Sequence, residues 1–163
     1  MYRAIQGIDV ESDIVAKTLI ILDNDMALLL RRSSTDRHRP NEFDLPGGGI
    51  ESEEKMKSGA SREITEETGL AIADTDMKLV WAKATVKNRQ EGRRNVVRML
   101  YVGYVSLTAN ANIVLNPKEH DYYELLPVGE IADKLDHSEW SEGIKYVIEN
   151  GLLRGSTLDQ VAS

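Results

Sequence analysis

The sequence predicts a single domain of the α+β class, and three observations support this prediction. Runs rich in β-branched and aromatic residues occur in both the first and the second half of the chain. The central segment from Glu53 to Thr68 is rich in helix-forming residues and contains no proline. A third segment, Glu139 to Asn150, has apolar residues at helical spacing. Strands in several sections together with separate helices indicate an α+β domain over residues 1–163.

The first third of the chain is predicted to form strands joined by short connections. Ile14 to Leu22 and Met26 to Arg31 are apolar runs separated by three polar residues, which favours two strands and a tight turn. Residues 33–42 are polar and irregular. Phe43 to Leu45 can form a short strand, and Pro46 to Gly49 is predicted to be a loop because glycine and proline dominate it.

The central helix has recognisable ends. Ser52 is the predicted N-cap, and Gly69 followed by Leu70 is typical of a glycine stop with an apolar contact after it. Three glutamates, Glu63, Glu66 and Glu67, are spaced i, i+3 and i+4 near the C-terminal end. This spacing places their side chains within an arc of about 100° on one face.

This acidic face is unfavourable unless a cation lies against it. Like charges at these spacings repel one another, and the C-terminal turn of a helix disfavours anions by roughly 0.3–1 kcal/mol each. Mg²⁺ prefers oxygen ligands and is commonly bound by one or two carboxylates together with substrate phosphates. The glutamates therefore predict a site for Mg²⁺, with Mn²⁺ as a substitute. A solvated acidic face paired with nearby lysines is the alternative.

The second half of the chain is predicted to contain a hairpin, a further strand and two helices. Met77 to Lys87 and Asn95 to Ser106 are strand-like, and the charged residues 88–94 between them predict a long turn. The remaining predictions are a strand over Tyr122 to Pro127, a short helix over Gly129 to Leu135, and an amphipathic helix over Glu139 to Asn150 with Trp140, Ile144, Val147 and Ile148 inward. Residues 154–163 are predicted to be a frayed tail.

Composition excludes several classes of function. The formal net charge of −7 disfavours a nucleic-acid polymer as partner, because phosphate backbones are held by clustered lysine and arginine. The chain contains no cysteine, which excludes disulfides, thiolate catalysis and cysteine zinc sites. The N-terminus does not have the pattern of a signal peptide, and the apolar runs are too short to cross a bilayer. We therefore expect a cytoplasmic protein without membrane association.

A complete motif spans residues 48–70. Nine positions match the pattern G-x5-E-x7-R-E-U-x-E-E-x-G-U, where U is a bulky aliphatic residue: Gly48, Glu54, Arg62, Glu63, Ile64, Glu66, Glu67, Gly69 and Leu70. At average residue usage such a match arises on the order of once in a billion windows. The chain resembles the Nudix hydrolases of the MutT type, in which this motif is the Nudix box. The resemblance implies an α/β/α sandwich with a mixed central sheet.

The resemblance also assigns roles to the motif residues. It implies metal-dependent hydrolysis of a pyrophosphate bond, with Glu63, Glu66 and Glu67 as metal ligands. Members of this family often supply a further acid from a distant loop, and Glu119 is the predicted one, with Asp121 and Glu124 as competing candidates. The general base could be Glu63, Glu67 or Glu119. The resemblance gives structural support roles to Arg62, to Gly69 and to Glu54, which falls on the opposite side of the predicted helix from Glu63.

The substrate side of the site is predicted from the residues before the motif. Glycines 47, 48 and 49 allow the backbone to approach a ligand closely. Arg31, Arg32 and Arg39 are candidates for contact with the negative diphosphate. Phe43 could pack against a base or belong to the core. His120 is expected to be structural or to contact substrate, because magnesium prefers oxygen.

The leading substrate is a nucleoside triphosphate, canonical or oxidised, as a small-molecule partner. ADP-ribose, nucleotide sugars and dinucleoside polyphosphates are the alternatives within the same chemistry. A nucleotide sensor with this fold and no turnover is the alternative of a different class, but such proteins often lose motif glutamates and this chain retains them. The resemblance is also compatible with a homodimer.

Overall fold

The computed structural model describes residues 12–90, 92–106 and 113–153. Its strands are β1 (Ser12–Leu22), β2 (Met26–Arg32), β3 (Phe43–Asp44), β4 (Gly47–Gly49), β5 (Met77–Arg89), β6 (Gly92–Val105) and β7 (His120–Pro127). Its α-helices are α1 (Met56–Thr68), α2 (Val128–Lys134) and α3 (Ser138–Glu149). None of the helices in these ranges has the length and apolar character needed to span a bilayer. The predicted tail, residues 154–163, lies outside the described residues.

The strands form one mixed sheet around β1. The main path runs β3, β2, β1, β6, β5, while β4 pairs with β1 and β7 pairs with β2. β1 is parallel to β6, and the other pairs in the sheet are antiparallel. This topology lets β1 diverge from β2, so that the short strands β3 and β4 each pair with one of them. The glycine segment is thereby held beside the middle of β1.

Helices cover both faces of the sheet. On one face, Ala60 and Ile64 of α1 pack with Ile20 of β1. On the other face, Ile131 of α2 and Trp140 of α3 pack in a second cluster. β1 is buried on both faces, which explains its nearly continuous apolar sequence. The predicted α+β class and the three-layer sandwich with a mixed sheet are both confirmed.

Three local predictions were wrong. Residues 47–49 form β4 rather than a loop, because their backbone pairs with residues 15–17 of β1. The long turn predicted over residues 88–94 is mostly strand, since β5 continues to Arg89 and β6 begins at Gly92. Ser52 is not the N-cap: α1 begins at Met56 after Lys55, and Glu53 has a positive φ of 67°. The backbone N–H of Glu51 donates to Glu54 at 3.1 Å, which bends this segment into a turn before the helix.

The C-terminal end of α1 agrees with the sequence. Gly69 has φ of 73°, and its N–H donates to the carbonyl oxygen of Thr65 at 2.9 Å. This left-handed position favours glycine and ends the helix. Leu70 is then buried in the core beneath α1. The end of α1 is therefore fixed against the sheet, and the glutamates of its last two turns are held in place.

Candidate active site

Glu67 is the most enclosed acid of α1. The backbone N–H of Gly47 donates a hydrogen bond to its Oε2 atom at 3.0 Å, and only 5% of the residue is exposed. Burial raises the pKa of Glu67 to about 8; Lys17 and the Gly47 N–H oppose this rise, and Glu63 and Asp44 add to it. Without a cation beside it, this carboxyl group therefore retains a proton at neutral pH.

Glu63 lies one helical turn earlier and packs against β4 (Gly47–Gly49), the glycine strand. An added Cβ at Gly48 would lie 2.7 Å from Oε2 of Glu63, so the absence of a side chain there makes room for the carboxylate. Burial raises the pKa of Glu63; Arg62 opposes the rise, and the nearby Glu66 and Glu119 add to it. Like Glu67, Glu63 is a carboxylate whose charge is disfavoured by its surroundings.

Arg62 connects three acids of the motif and the strand before them. Its Nε and one terminal nitrogen donate to the two oxygens of Glu54 at 2.7 and 3.0 Å. Its other terminal nitrogen donates to Glu63 at 3.0 Å and to Glu66 at 3.1 Å. A further bond of 3.2 Å reaches the carbonyl oxygen of Gly49. The guanidinium thus fixes the entry to α1 relative to its acidic face, as a planar fork of donors can.

The placement of Glu54 differs from the sequence expectation. The sequence predicts Glu54 within the helix, on the side opposite Glu63. It instead precedes α1, and the same guanidinium of Arg62 binds both carboxylates. Because Glu54 lies outside the helix, the helical wheel gives the wrong position for it. This geometry is compatible with the support role predicted for Arg62 and Glu54.

Glu119 and His120 reach the same place from the start of β7. One carboxylate oxygen of Glu67, one of Glu119 and one ring nitrogen of His120 all lie within 4.8 Å of one another. Glu119 is exposed, whereas His120 is 2% exposed. Burial lowers the pKa of His120 to about 4, and Lys17 lowers it further. The ring is therefore neutral and keeps a nitrogen lone pair.

The predicted ligands are not all equivalent in the structure. Glu67 and Glu119 converge, and Glu63 lies close enough to both for electrostatic coupling. Glu66 is the outer member of the set, because its side chain is 55% exposed and it is held by Arg62. The exposure of the acids therefore increases from the buried Glu67 to Glu66 at the edge of the cluster.

The two competing acids of the distant loop have other partners. Asp121 accepts a hydrogen bond from Nε of Arg31 at 3.0 Å and another from the backbone N–H of Ser34 at 3.3 Å. Glu124 accepts a bond from the Tyr122 hydroxyl at 3.1 Å. Among the three candidates, Glu119 is the one that shares a group of ligand atoms with Glu67.

A buried ion pair lies beneath the acids, and the sequence reasoning missed it. Nζ of Lys17 donates to Oδ2 of Asp44 at 3.0 Å and to the carbonyl oxygen of Gly47 at 3.1 Å. The two residues are 4% and 2% exposed. Burial alone would raise the pKa of Asp44, but Lys17 outweighs it and holds this pKa below its usual range. The available signal was the one lysine in β1, which lies between the apolar segments 14–16 and 19–22.

The predicted substrate-binding arginines lie at different distances from the acids. Arg32 pairs with Asp36 at 2.6 Å and lies 3.5 Å from Asp44. Burial lowers the pKa of Arg32, but its hydrogen bond to Asp36 and the charges of Asp36, Asp44 and Glu67 outweigh burial and raise it. Arg31 instead pairs with Asp121 at the surface. Arg39 is only loosely paired, with its Nε atom 4.0 Å from Glu42. Arg32 is therefore the member of this set that the structure places beside the buried acids.

Phe43 lies on the face of the sheet covered by α2 and α3. It packs against the core cluster of that face and meets the ring of Tyr122 edge to face, with ring centroids 6.5 Å apart. Arg31 lies over the same Tyr122 ring at 4.9 Å. Phe43 remains partly exposed, so its packing role and a contact with a base are both compatible with this position.

The donor set at this point fits a divalent cation. Two carboxylates and an imidazole converge, and a third carboxylate, Glu63, lies beside them. Burial is the largest cause of the raised pKa of Glu67, and the charge of Lys17 opposes this rise without cancelling it. Oxygen-rich sites of this kind suit Mg²⁺ or Mn²⁺.

Comparison with known proteins agrees with this geometry. A family model described as the NUDIX domain matches residues 14–146. The nucleoside triphosphatase NudI of Escherichia coli O139:H28 is 31% identical over 111 residues, which cover 66% of this chain and 78% of that protein.

Solved structures show the same fold. The MutT protein of Methanosarcina mazei Go1 superposes with a TM-score of 0.69 at 25% identity, covering 88% of this chain and 98% of the other. A C. elegans Ap4A hydrolase superposes with a TM-score of 0.61 at 16% identity, covering 88% of this chain and 99% of the other. The family model spans most of the chain, and it includes the motif, the acidic cluster and all of the sheet except the first two residues of β1. This chain belongs to the Nudix family and is a MutT-like pyrophosphohydrolase.

Proposed function

We propose that this enzyme hydrolyses a pyrophosphate bond of a nucleoside triphosphate, canonical or oxidised, and that it requires Mg²⁺, for which Mn²⁺ can substitute. The observation that carries the metal requirement is the buried carboxyl of Glu67, which lies within 4.8 Å of Glu119 and against the N–H of Gly47. A buried carboxylate is costly unless it is paired with a cation. The similarity to the nucleoside triphosphatase NudI supports the choice of substrate class.

The residues of the chain then have distinct roles in the proposal. Glu63, Glu66, Glu67 and Glu119 hold the cation, which when bound neutralises phosphate oxygens and lowers the pKa of a coordinated water. The general base is one of Glu63, Glu67 and Glu119. Arg62 and Glu54 keep the acids in position through the hydrogen bonds that they share with the glycine strand and with α1.

The glycine strand provides the approach to the diphosphate. Gly48 and Gly49 lie at the edge of the acidic cluster, where absent side chains leave the backbone accessible, and an added Cβ at Gly49 would meet no atom within 4 Å. Arg32 is proposed to bind the phosphates because, among Arg31, Arg32 and Arg39, it is the arginine that lies beside the buried acids Asp44 and Glu67. Arg31, Arg39 and Phe43 are proposed to contact the parts of the substrate beyond the diphosphate.

A substrate panel tests this proposal. Nucleoside triphosphates, ADP-ribose, a nucleotide sugar and a dinucleoside polyphosphate are each incubated with the enzyme and Mg²⁺, and the phosphate or pyrophosphate released is measured. Where the reaction gives only phosphomonoester products, phosphatase is added afterwards so that their phosphate can be measured. We expect the highest kcat/KM for a nucleoside triphosphate, and loss of turnover with EDTA that Mg²⁺ or Mn²⁺ restores. A higher value for another compound would replace the substrate. Tight binding without turnover across the panel would favour the nucleotide sensor.

A cytoplasmic location and a homodimer remain predictions. Light scattering after size-exclusion chromatography measures the mass of the particle directly. A mass of twice the 18.2 kDa chain would support the dimer, and a mass of one chain would reject it.

A further inference from the structure

His120 is a buried polar side chain without a partner in the described part of the chain. It begins β7 opposite Arg32 of β2 and is 2% exposed. Both ring nitrogens are buried, and neither makes a hydrogen bond to any described residue. A neutral imidazole has one donor and one acceptor, and an unsatisfied buried polar atom costs about 1–3 kcal/mol. Such a ring is expected to be completed by a group that the described residues do not supply.

The position of the ring beside two carboxylates indicates that this group is a cation. One of its nitrogens lies within 4.8 Å of a carboxylate oxygen of Glu67 and of a carboxylate oxygen of Glu119. Ligand atoms that share one ion at about 2.0–2.2 Å lie roughly 3–4.4 Å apart, so small side-chain movements bring these three atoms onto one cation. Glu67 and His120 are buried, whereas Glu119 is exposed, so the imidazole ring lies on the buried side of the cluster.

The backbone around His120 is fixed, which favours a ligand role. The N–H groups of Glu119 and His120 both donate to the carbonyl oxygen of Asn116, at 3.0 and 2.9 Å. The carbonyl oxygen of Glu119 accepts a bond of 2.9 Å from the N–H of Ser33. Two adjacent side chains are thus presented from a turn that is hydrogen-bonded on both sides. Prearranged ligands of this kind lose little freedom when an ion binds.

We propose that His120 is a nitrogen ligand to the cation held by Glu67 and Glu119. The inference rests on the metal site of the proposed function and refines its chemistry. Imidazole nitrogen binds first-row transition ions in preference to Mg²⁺, whose ligands are almost always oxygen. The site therefore binds Mn²⁺ and Co²⁺ more tightly than Mg²⁺, and His120 contributes part of that preference. This differs from the structural or substrate-contacting role that the sequence predicted for this residue.

Pulsed electron paramagnetic resonance of the Mn²⁺-loaded protein tests the ligand directly. A nitrogen bound to Mn²⁺ gives an electron spin echo modulation from ¹⁴N, and we expect this modulation in the wild-type protein. In protein made with ¹⁵N-labelled histidine the ¹⁴N modulation should be replaced by the ¹⁵N pattern. This comparison needs no substitution, so it is independent of any effect of a variant on folding.

Variants then assign the signal to one residue. His120→Gln should abolish the histidine modulation, while His38→Gln, at an exposed histidine of the loop after β2, should retain it. Calorimetric titration should show that His120→Gln weakens Co²⁺ and Mn²⁺ binding by about tenfold or more, and Mg²⁺ binding by a smaller factor. Equal losses for all three ions would contradict a nitrogen ligand.

The outcomes separate this inference from the proposed function. Bound Mn²⁺ without histidine modulation in the wild-type protein would overturn the ligand role of His120 and leave the carboxylate site intact. Absence of bound Mn²⁺, together with hydrolysis that EDTA does not affect, would overturn the metal site and this inference with it. Modulation that persists in His120→Gln would assign the nitrogen to another histidine and reject the proposal.

Discussion

The backbone N–H of Gly47 donates a hydrogen bond to the buried carboxyl group of Glu67 across 3.0 Å. This bond joins the strand before the motif to the last turn of α1, two segments 20 residues apart. It also fixes the orientation of the Glu67 carboxyl group relative to β4. The main sequence motif and the glycine segment therefore act as one unit in space.

Substitution of Glu67 tests the central acid. Glu67→Gln keeps the size of the side chain and an oxygen for the Gly47 N–H, but it removes the charge that attracts a cation. We expect kcat to fall by at least about 100-fold, within the range of losses seen when a catalytic acid or base is removed. Steady-state hydrolysis of a nucleoside triphosphate with saturating Mg²⁺ measures this effect.

A matched control distinguishes the effect of removing a negative charge at the site from the effect of removing one elsewhere on the surface. Glu149→Gln makes the same change at an exposed position in the last turn of α3. Its turnover should stay close to that of the wild-type protein. Wild-type turnover in Glu67→Gln would contradict the role assigned to this acid. Circular dichroism of both variants checks that the fold is retained.

The pKa of Glu67 predicts how stability depends on pH without metal. The unfolded chain releases this proton near pH 4.5, whereas the folded protein retains it up to about pH 8. Between these values the folded state binds more protons, so the free energy of unfolding of the metal-free protein should fall as pH rises. The loss at this group is about 2–5 kcal/mol between pH 5 and pH 8.

Urea unfolding in EDTA measures this dependence. Other groups also titrate across the range, so the quantity of interest is the difference between the wild-type protein and Glu67→Gln. The variant should be relatively more stable at pH 8 than at pH 5, and added Mg²⁺ should remove much of the difference by stabilising the wild-type carboxylate. Parallel curves for the two proteins would contradict a raised pKa at Glu67.

Local signals predicted the parts of the fold that depend on periodicity and on helix ends. β1 and β2 are apolar runs on either side of a three-residue turn, and their bounds agree with the sequence to within two residues. Gly69 ends α1 in the left-handed conformation that its identity indicates. Gly69 and the turn between β1 and β2 are determined by neighbours in sequence, which explains why they could be read without a structure.

The misplaced features depend on contacts between distant residues. Ser52 is a residue type typical of N-caps, but Arg62 binds the Glu54 carboxylate outside the helix, and α1 begins only at Met56. Gly47 belongs to a strand only because β1 lies beside it. Lys17 is buried because Asp44 is brought to it by strand pairing, 27 residues away in sequence. No local sequence pattern predicts these features, because they depend on contacts that form only when the strands and α1 pack together.

The glycine strand offers a second test of the site. In Gly48→Ala, the new Cβ would lie 2.7 Å from Oε2 of Glu63, so this side chain must move. We expect kcat to fall about 10–100-fold, because displacement of a catalytic group by about 1 Å has effects of this size. Wild-type kinetics would show that the position of Glu63 does not matter for turnover.

Two other glycines provide contrasting controls for that variant. Gly47→Ala should lower the free energy of unfolding, because a Cβ would overlap the Ala16 carbonyl oxygen and φ is +141°. The strained backbone alone costs about 1–3 kcal/mol. Gly129→Ala, where a Cβ on α2 would meet no atom within 4 Å, should leave both stability and turnover near wild type. Thermal unfolding and kinetics of the three variants distinguish loss of folding from loss of alignment.

The buried pair of Lys17 and Asp44 should respond non-additively to substitution. Lys17→Met removes the ammonium partner of the buried Asp44 carboxylate and leaves Arg32, 3.5 Å away, as its remaining cation, so the cost is at most the roughly 3–5 kcal/mol of breaking one side of a buried pair. Combining it with Asp44→Asn removes the uncompensated charge and retains an oxygen for the Leu45 N–H, so the double variant should be more stable than Lys17→Met alone. Urea unfolding at pH 7 measures each step, with the exposed Lys145→Met as the control expected to change stability by less than about 0.5 kcal/mol. Additive losses in the double variant would show that the two side chains do not stabilise each other.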